Sequence, residues 1–258
     1  MSDTIFMVHG MWVGGWVWEG YRRFFEAKGY TCTTPTLRYH DADPGAQPDP
    51  MLGTLSVLDY VADLERQAAA LGTPPILMGH SMGGLLALML ATRLQVKALV
   101  LLAPAPPAGI LALKLSTVRA FLSALCRWEF WRRPMRINLG GAKYGVFNQT
   151  PQPEGEAQYR RWVYDSARAA LEIGFWFMDP RKATHVDPGR IPCPVLAVCG
   201  SHDRLFPPSV VRRVARKYGA EYKEFPDHAH WLLGEPRWED VARYIASWLA
   251  RAIGPPGD

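Results

Sequence analysis

The sequence is short of the features that mark several protein classes. It has four cysteines in 258 residues, with neither a CxxC pair nor a histidine at zinc-finger spacing, so a disulfide framework and a structural zinc site are disfavoured. No run approaches the ~20 apolar residues that span a bilayer, and no basic, then apolar leader precedes the first apolar run. We therefore expect a soluble, cytoplasmic protein. We also expect reduced, packed thiols at Cys32, Cys126, Cys193 and Cys199.

Charged residues are also few. They make up 21% of the chain, whereas 48% is hydrophobic, which suffices for a sizeable core and excludes intrinsic disorder of the whole. The net charge of +5 is distributed unevenly, because residues 105–190 hold ten Arg and three Lys against four Glu and three Asp. No nucleic-acid-binding motif accompanies this basic excess, so we expect no nucleic-acid partner.

Short β-type runs alternate with amphipathic helical patterns along most of the chain. This alternation predicts an α/β fold built on a doubly wound, mainly parallel sheet of about six strands. Such a sheet would hold its helices on both faces. The predicted strands are 5–8, 31–34, 76–78, 96–102, 195–199 and 221–225.

Residues 105–190 interrupt the alternation. They contain helical patterns at 111–131 and 156–177 and many aromatic residues. An insert between two strands of a parallel sheet is well placed to cover the carboxyl ends of the strands, where such sheets bind ligands. We therefore predict a helical cap, inserted after strand 96–102. The predicted domains are a core of 1–104 and 191–253, a cap of 105–190 and a frayed tail of 254–258.

The stretch ILMGHSMGG at 76–84 carries the most specific signal. It places G-x-S-x-G, with Ser81 at its centre, directly after a strand and directly before a helix, which is the context of a nucleophile elbow. The glycines are needed because a turn this sharp leaves no room for a Cβ two residues away. The turn would expose the Ser81 hydroxyl above the sheet and place the N–H of Met82 beside it.

A serine hydroxyl needs a base, and the base needs an acid that orients it. In this architecture the partners follow in the order serine, acid, histidine. Asp203 follows strand 195–199, and His230 follows strand 221–225. Both loops leave the sheet at the edge that carries Ser81, so we predict that the three side chains meet there.

Two other residues compete with these partners. His228 stands two residues before His230, but we expect it to form a hydrogen bond within the loop, because His230 leads into the last helix. Asp179 competes with Asp203, but it lies in the insert and follows no strand of the sheet. The predicted base and acid are therefore His230 and Asp203.

Acyl transfer also needs N–H donors for the developing oxyanion, each worth roughly 3 to 4 kcal/mol. The run His9, Gly10, Met11 follows the first strand, and a glycine there lets the backbone approach the nucleophile. The N–H groups of Met11 and Met82 are therefore the predicted oxyanion hole. Two interpretations of His9 are open: it is a second base, or its imidazole fixes the loop through hydrogen bonds, which we favour.

Residues near the predicted site are mostly apolar or aromatic. They predict a pocket for uncharged acyl or aryl groups, with Trp12, His80 and Trp231 as candidate walls. The aromatic side chains of the insert either line this pocket or bury against the sheet.

The insert also carries an arginine cluster beside tryptophans. Such a cluster is typical of a solvated outer face, which we favour, or of a membrane-binding surface. This cluster is Arg127, Arg132, Arg133 and Arg136.

Four sequence blocks occur in a fixed order: HGMW at 9–12, GHSMGG at 79–84, GSHDRLFPP at 200–208 and HAHWLLGEP at 228–236. Together they resemble the α/β-hydrolase superfamily over nearly the whole chain. The continuation HGMWVGGWVWEGY is similar to small esterases that group with plant methylesterases, hydroxynitrile lyases and cofactor-free haloperoxidase-like esterases. The resemblance implies a serine hydrolase of the α/β-hydrolase fold. Its nucleophile, acid and base would be Ser81, Asp203 and His230.

The chain departs from parts of this superfamily. Many members begin with a β-hairpin that is absent here, so the resemblance implies a trimmed core. Branches that open epoxides or remove halide have an aspartate at the position of Ser81. Hydroxynitrile lyases usually have a threonine in place of Gly10 and a lysine near the acid, where this chain has Arg204. These differences favour ester hydrolysis.

The sequence therefore predicts a carboxylesterase-type serine hydrolase that cleaves esters of apolar acyl or aryl groups through an acyl-enzyme on Ser81. The same residues also suit thioester hydrolysis, carbon–carbon bond hydrolysis or lyase chemistry. A ligand-binding receptor on a hydrolase scaffold is an alternative of another class. The expected partner is a small apolar ester, and the chemistry calls for no cofactor and no metal. The sequence leaves the oligomeric state open.

Overall fold

The structure is a computed structural model that describes residues 2–126 and 128–256. The chain begins with alternating strands and helices. In order these are β1 (Thr4–Val8), α1 (Glu19–Glu26), β2 (Thr31–Thr33), α2 (Val57–Ala69), β3 (Ile76–His80), α3 (Met82–Leu90) and β4 (Ala98–Leu102).

The next elements belong to residues 105–190, which we call the insert. They are α4 (Leu115–Leu125), β5 (Pro134–Met135), α5 (Leu139–Gly145), α6 (Gln152–Arg160), β6 (Asp165–Ser166) and α7 (Ala167–Gly174). The alternation then resumes with β7 (Val195–Gly200), α8 (Pro208–Lys217), β8 (Glu221–Phe225) and α9 (Trp238–Ile253).

Six strands form one parallel sheet in the order β2, β1, β3, β4, β7, β8. The chain runs outward from β1 to β2 and then returns to β3 on the other side of β1, which is the doubly wound arrangement. Strands β3 and β4 are buried along their whole length, as expected for strands covered by helices on both faces. The predicted fold class is confirmed.

The insert adds no strand to this sheet among its described residues. Its two short strands, β5 and β6, pair only with each other, antiparallel. The helix predicted over 156–177 is wrong, because α6 ends at Arg160 and α7 begins only at Ala167. Between them Ser166 caps α7, since its Oγ accepts the N–H of Ala169 at 3.1 Å. The division of the chain into a core and a cap stays a prediction.

The cysteines differ in their exposure to solvent. All four cysteines are free thiols; Cys199 is buried, whereas Cys126, directly after α4, is exposed. The expectation of packed thiols is therefore wrong for Cys126.

Within the described residues, no helix is long and apolar enough to cross a membrane. Of the tail predicted to fray at 254–258, residues 257 and 258 lie outside the described residues.

Helix α3 approaches the central strands at a distance that only glycine permits. A Cβ at Gly83 would lie 2.1 Å from the carbonyl oxygen of Val8, and one at Gly79 would lie 2.2 Å from the carbonyl oxygen of Gly83. Both obstacles are backbone atoms, which cannot rotate away as a side chain can. The position of α3, and with it of the turn between β3 and α3, therefore depends on these glycines.

We expect Gly83→Ala to lower the free energy of unfolding by about 3 kcal/mol or more, because the added methyl group overlaps the backbone of β1. The matched control is Gly140→Ala on α5, where a Cβ would meet only the side chain of Asn138 at 3.5 Å. That change should alter stability by about 1 kcal/mol at most. Denaturant unfolding of both variants measures the difference, and equal midpoints would contradict the argument.

Candidate active site

Ser81 occupies the sharp turn between β3 and α3. Its backbone has φ 57° and ψ −123°, a strained conformation that costs about 1 to 3 kcal/mol for a residue other than glycine. Hydrogen bonds hold it there: the Ser81 N–H donates to the carbonyl of Leu102 at 3.0 Å, and its own carbonyl accepts the N–H groups of Gly84 and Ala105, each at 2.9 Å. The geometry is that of the predicted elbow.

The three residues predicted to meet at the sheet edge are in hydrogen-bond contact. His230 Nε2 lies 3.0 Å from Ser81 Oγ, and His230 Nδ1 lies 2.8 Å from Asp203 Oδ2. The second carboxylate oxygen of Asp203 accepts the N–H groups of Leu205 and Phe206 at 2.8 and 2.9 Å. The side chains of Asp203 and His230 are almost completely buried, so these polar contacts are shielded from water.

The contacts also define which ring nitrogen carries the proton. An ionised carboxylate only accepts hydrogen bonds, so Nδ1 of His230, which faces Asp203, is the protonated nitrogen. Nε2 is then free to accept the hydroxyl proton of Ser81. The arrangement can draw a proton from the serine hydroxyl and return it to a leaving group.

Two other buried histidines near Ser81 remain neutral. Burial, reinforced by the neighbouring His230, lowers the pKa of His80 to about 3, and its Nε2 lies 2.8 Å from the carbonyl oxygen of His230. Burial and the charge of His40 likewise lower the pKa of His9 to about 3.

The ring of His9 is bonded on both sides by its own loop and the next. Its Nδ1 donates to the carbonyl of Gly10 at 2.8 Å, and its Nε2 accepts the N–H of Leu37 at 3.0 Å. The favoured interpretation of His9 as a residue that fixes its loop is therefore confirmed.

Glu235 organises the loop that carries His230, a function that the sequence did not reveal. Its side chain is buried and accepts the N–H groups of Ala229 at 2.8 Å and Trp231 at 3.0 Å. These are the residues on either side of His230. His228 Nδ1 lies 3.2 Å from the same carboxylate, which confirms the predicted hydrogen bond of His228 within the loop.

An apolar cavity of about 820 Å³, its open mouth included, extends from Ser81 into the insert. Predicted residues Met11, Trp12 and Met82 line it beside Ser81. None of the lining residues in the described chain is charged, and Thr117 is the only polar one besides Ser81. The other lining residues are Ala105, Ala112, Leu113, Val118, Phe121, Ala124, Leu125, Met135, Ala167, Ala170, Leu171, Ile173, Gly174, Phe175, Leu205 and Phe206.

The other two predicted pocket residues border a second, smaller cavity. His80 and Trp231 line it together with His230, on a side of Ser81 that also includes Trp12. They do not line the large apolar cavity. Trp12 lines both cavities, as do Met11 and Ser81, so the prediction of a single pocket with these three walls is too simple.

Aromatic side chains of the insert take one of the two predicted positions, the wall of the pocket, and two positions that were not predicted. Phe121 and Phe175 line the large cavity. Trp162 is buried and stacks on Trp12, with 5.1 Å between the ring centroids. Trp128, in contrast, is 81% exposed.

The arginine cluster is only partly a solvated face. Arg132 and Arg133 are exposed, but Arg136 is half-buried and donates to the carbonyl of Trp162 at 2.7 Å. Arg127 lies outside the described residues. The cluster therefore includes at least one residue whose guanidinium forms a hydrogen bond within the insert.

A metal-dependent site is not apparent in residues 2–126 and 128–256, where no group of three or more His, Cys, Asp or Glu side chains could hold an ion. The acidic and imidazole groups near Ser81 are instead bonded to one another and to backbone N–H groups. The arrangement is suited to proton transfer between organic groups.

We expect Glu235→Gln to lower the free energy of unfolding by about 1 to 3 kcal/mol, because the new NH₂ group would face backbone N–H donors in a buried loop. The control is Glu65→Gln, at an exposed ion pair with Arg93, where the cost should stay within about 1 kcal/mol. Thermal unfolding of the two variants compares them. If they lose the same stability, Glu235 does not organise the loop.

Comparisons with known proteins place the fold. A family profile described as "Alpha/beta hydrolase family" matches residues 5–244. A search of curated protein sequences finds no match. Many solved structures match. Those named below are all less than 25% identical to this chain, so they are evidence for the fold alone.

A methylesterase from Arabidopsis is 14% identical, with a TM-score of 0.72 over 96% of this chain and 99% of its own. A thermophilic esterase from Thermogutta terrifontis with bound malate is 22% identical, with a TM-score of 0.70 over 98% and 91% of the two chains. Tomato methylketone synthase I complexed with 2-tridecanone is 16% identical, with a TM-score of 0.69 over 98% and 99%. With its parallel sheet and the match over nearly its whole length, the chain belongs to the alpha/beta hydrolase family.

Proposed function

We propose that the protein is a carboxylesterase-type serine hydrolase that cleaves esters of apolar acyl or aryl groups through an acyl-enzyme on Ser81. The observation that carries the proposal is the chain of hydrogen bonds from Asp203 through His230 to Ser81, 2.8 and 3.0 Å long, at the end of an apolar cavity. A serine, a base and an orienting acid in this order are the requirements of nucleophilic acyl transfer.

In the first step His230 Nε2 takes the hydroxyl proton of Ser81 while Oγ attacks the ester carbonyl carbon. The tetrahedral intermediate collapses as His230 returns the proton to the departing alcohol oxygen, which leaves an acyl-enzyme. Water then repeats the sequence: His230 takes a proton from it, the hydroxide oxygen attacks the acyl carbon, and Ser81 regains its proton as the acid leaves. Asp203 stabilises the imidazolium in both halves.

The oxyanion of each intermediate would be held by the N–H groups of Met11 and Met82. Met82 is the first residue of α3, so its N–H is one of the free donors at a helix N-terminus. Met11 belongs to the oxyanion loop, residues 9–14, and a Cβ at Gly10 in this loop would come within 2.9 Å of Ser81 Cβ. That close approach supports assigning a donor from the loop to the reacting carbonyl oxygen.

The acyl group would occupy the large cavity. Its walls carry no charged side chain among the described residues, so a charged acid would be desolvated there without a partner. The solved structures of similar fold include proteins named as esterases and one complexed with 2-tridecanone, which agrees with an apolar ligand. We further propose that the insert is a cap that forms most of this cavity, with ten of the 21 lining residues on helices α4 and α7.

We expect Ser81→Ala to abolish the turnover of p-nitrophenyl butyrate while the circular dichroism spectrum and melting temperature stay close to those of the parent protein. A fall of about 10⁴-fold or more is typical when a nucleophile of this kind is removed. Covalent labelling by a fluorophosphonate probe, located by peptide mass spectrometry, should identify the same residue.

Three results would contradict the proposal. Unchanged turnover in Ser81→Ala would exclude the nucleophile, and labelling of another residue would exclude the site. Labelling of Ser81 without turnover of any ester would favour a ligand-binding receptor instead. Thioesters and carbon–carbon substrates measured beside the esters distinguish the reaction types that this site can support.

We expect Ala170→Phe, in the α7 wall of the cavity, to reduce kcat/KM for p-nitrophenyl octanoate by about 10-fold relative to the acetate, because the larger ring fills space that a long acyl chain needs. The control is Ala157→Phe on the exposed side of α6, which should leave the ratio unchanged. A ratio that does not move in Ala170→Phe would place the acyl chain elsewhere.

A further inference from the structure

A buried ion pair between Asp165 of the insert and His40 contacts the oxyanion loop. Asp165, in β6, is fully buried. Its Oδ2 accepts the N–H of Trp12 at 3.0 Å and lies 2.9 Å from His40 Nε2. Its Oδ1 accepts the hydroxyl of Tyr60 at 3.2 Å and the N–H of Ser166 at 2.6 Å. The carboxylate therefore has a donor for each of its four lone pairs.

His40 carries a proton on both ring nitrogens. Nδ1 lies 2.9 Å from the carbonyl oxygen of Arg38, and Nε2 faces the carboxylate of Asp165. Both partners can only accept hydrogen bonds, so the ring is an imidazolium. Burial opposes this charge, but the charge and hydrogen bond of Asp165 outweigh it and raise the pKa of His40.

The other titratable groups that face His40 are few. The ring of His9 lies 5.3 Å from it and the ring of Tyr60 lies 5.8 Å from it, and the charge of Asp41 also acts on it. His9 is neutral, because its own pKa is lowered to about 3. Asp165 is therefore the main counter-charge of His40.

Trp12 is held at both of its backbone groups by the same part of the insert. Its φ is 68°, in the left-handed region that residues with a side chain rarely adopt. Its N–H donates to Asp165, its carbonyl accepts the N–H of Val163 at 2.8 Å, and its ring stacks on Trp162. The unusual backbone of Trp12 is thus fixed by three contacts from residues 162–165.

Trp12 follows Met11 directly, so the N–H that Asp165 accepts belongs to the peptide group that Met11 shares with Trp12. We propose that Asp165 and His40 are positioning residues for the oxyanion hole: Asp165 fixes the peptide after Met11, and the protonated His40 holds the Asp165 carboxylate in place. This inference rests on the proposed function. It gives the insert a part in the rate of the reaction, beyond forming the walls of the cavity.

The pair has a defined pH dependence. It is complete while His40 is protonated, and it is lost as the pH rises through the raised pKa of His40, because a neutral ring would turn a nitrogen lone pair towards one of its two acceptors. Turnover should therefore decline on the alkaline side as His40 loses its proton.

The first test is Asp165→Asn, which keeps the shape of the side chain and removes its charge. Turnover of p-nitrophenyl butyrate is divided by the number of active sites that a fluorophosphonate labels to completion, so unfolded molecules do not count. We expect kcat per labelled site to fall by about 10-fold or more, with KM changed little, as for a displaced oxyanion donor.

Glu172→Gln is the matched control. Glu172 is a second buried carboxylate of the insert, and it accepts the hydroxyl of Ser56 at 2.8 Å and the N–H of Val57 at 2.9 Å, away from the oxyanion loop. The Gln amide oxygen can still accept both of these donors, so α7 keeps its place, and the variant should lower the melting temperature without lowering kcat per labelled site. The contrast separates a positioning effect from a loss of stability.

The second test is His40→Gln, whose amide can still donate to Asp165 but does not titrate. Its pH profile should lack the alkaline decline of the parent protein. This variant also provides the test if Asp165→Asn does not fold.

The inference would be overturned if kcat per labelled site in Asp165→Asn stays within twofold of that of the parent protein. An alkaline decline that is unchanged in His40→Gln would also overturn it. Ser81→Ala measured in parallel distinguishes the two proposals. Turnover that survives in Ser81→Ala refutes the proposed function, whereas turnover that needs Ser81 but not Asp165 refutes the positioning role alone.

Discussion

The close approach of α3 to the ends of β1 and β3 is the constraint on which the rest of the site depends. Gly79 and Gly83 bring backbone against backbone, and the turn between them leaves Ser81 in a strained conformation. That conformation is held by the end of β4 and by Ala105, the first residue of the insert. The strand order then brings the loops after β7 and β8, with Asp203 and His230, to the same edge of the sheet.

Three buried carboxylates organise the loops around this edge in one recurring way. Each lies beside a histidine ring nitrogen and accepts two backbone N–H groups: Asp203 lies beside His230, Glu235 beside His228 and Asp165 beside His40. The backbone donors to Asp203 and Glu235 come from the loops after β7 and β8, whereas Asp165 accepts one N–H from the oxyanion loop and one from its neighbour Ser166. Because a carboxylate offers about four lone pairs, it can fix a backbone and a ring together. The same chemistry therefore serves the loop after β7, the loop after β8 and the oxyanion loop.

Local patterns were sufficient to predict most of the sheet and the contact between Ser81, Asp203 and His230. The strands are short apolar runs, and the rule that parallel strands share one carboxyl edge converts their order into proximity. The pairing of Asp165 with His40 and Trp12 lies beyond such patterns, because it joins residues 125 and 153 positions apart. The break between α6 and α7 is likewise beyond a local pattern, because Asp165 in this segment bonds to Trp12, His40 and Tyr60, which lie far away in the sequence.

The insert holds an excess of positive charge and yet encloses a cavity without charged walls among its described residues. Part of that charge is used in packing, since Arg136 donates to Trp162, whose ring stacks on Trp12. The cavity wall and the contact of Asp165 with the oxyanion loop also belong to one continuous segment, because α7 begins two residues after Asp165 and supplies Ala170 to the cavity. An acyl group that displaces α7 would therefore also strain the hydrogen bond between Asp165 and Trp12. The acyl preference and the rate of the proposed reaction should therefore be coupled through this part of the insert.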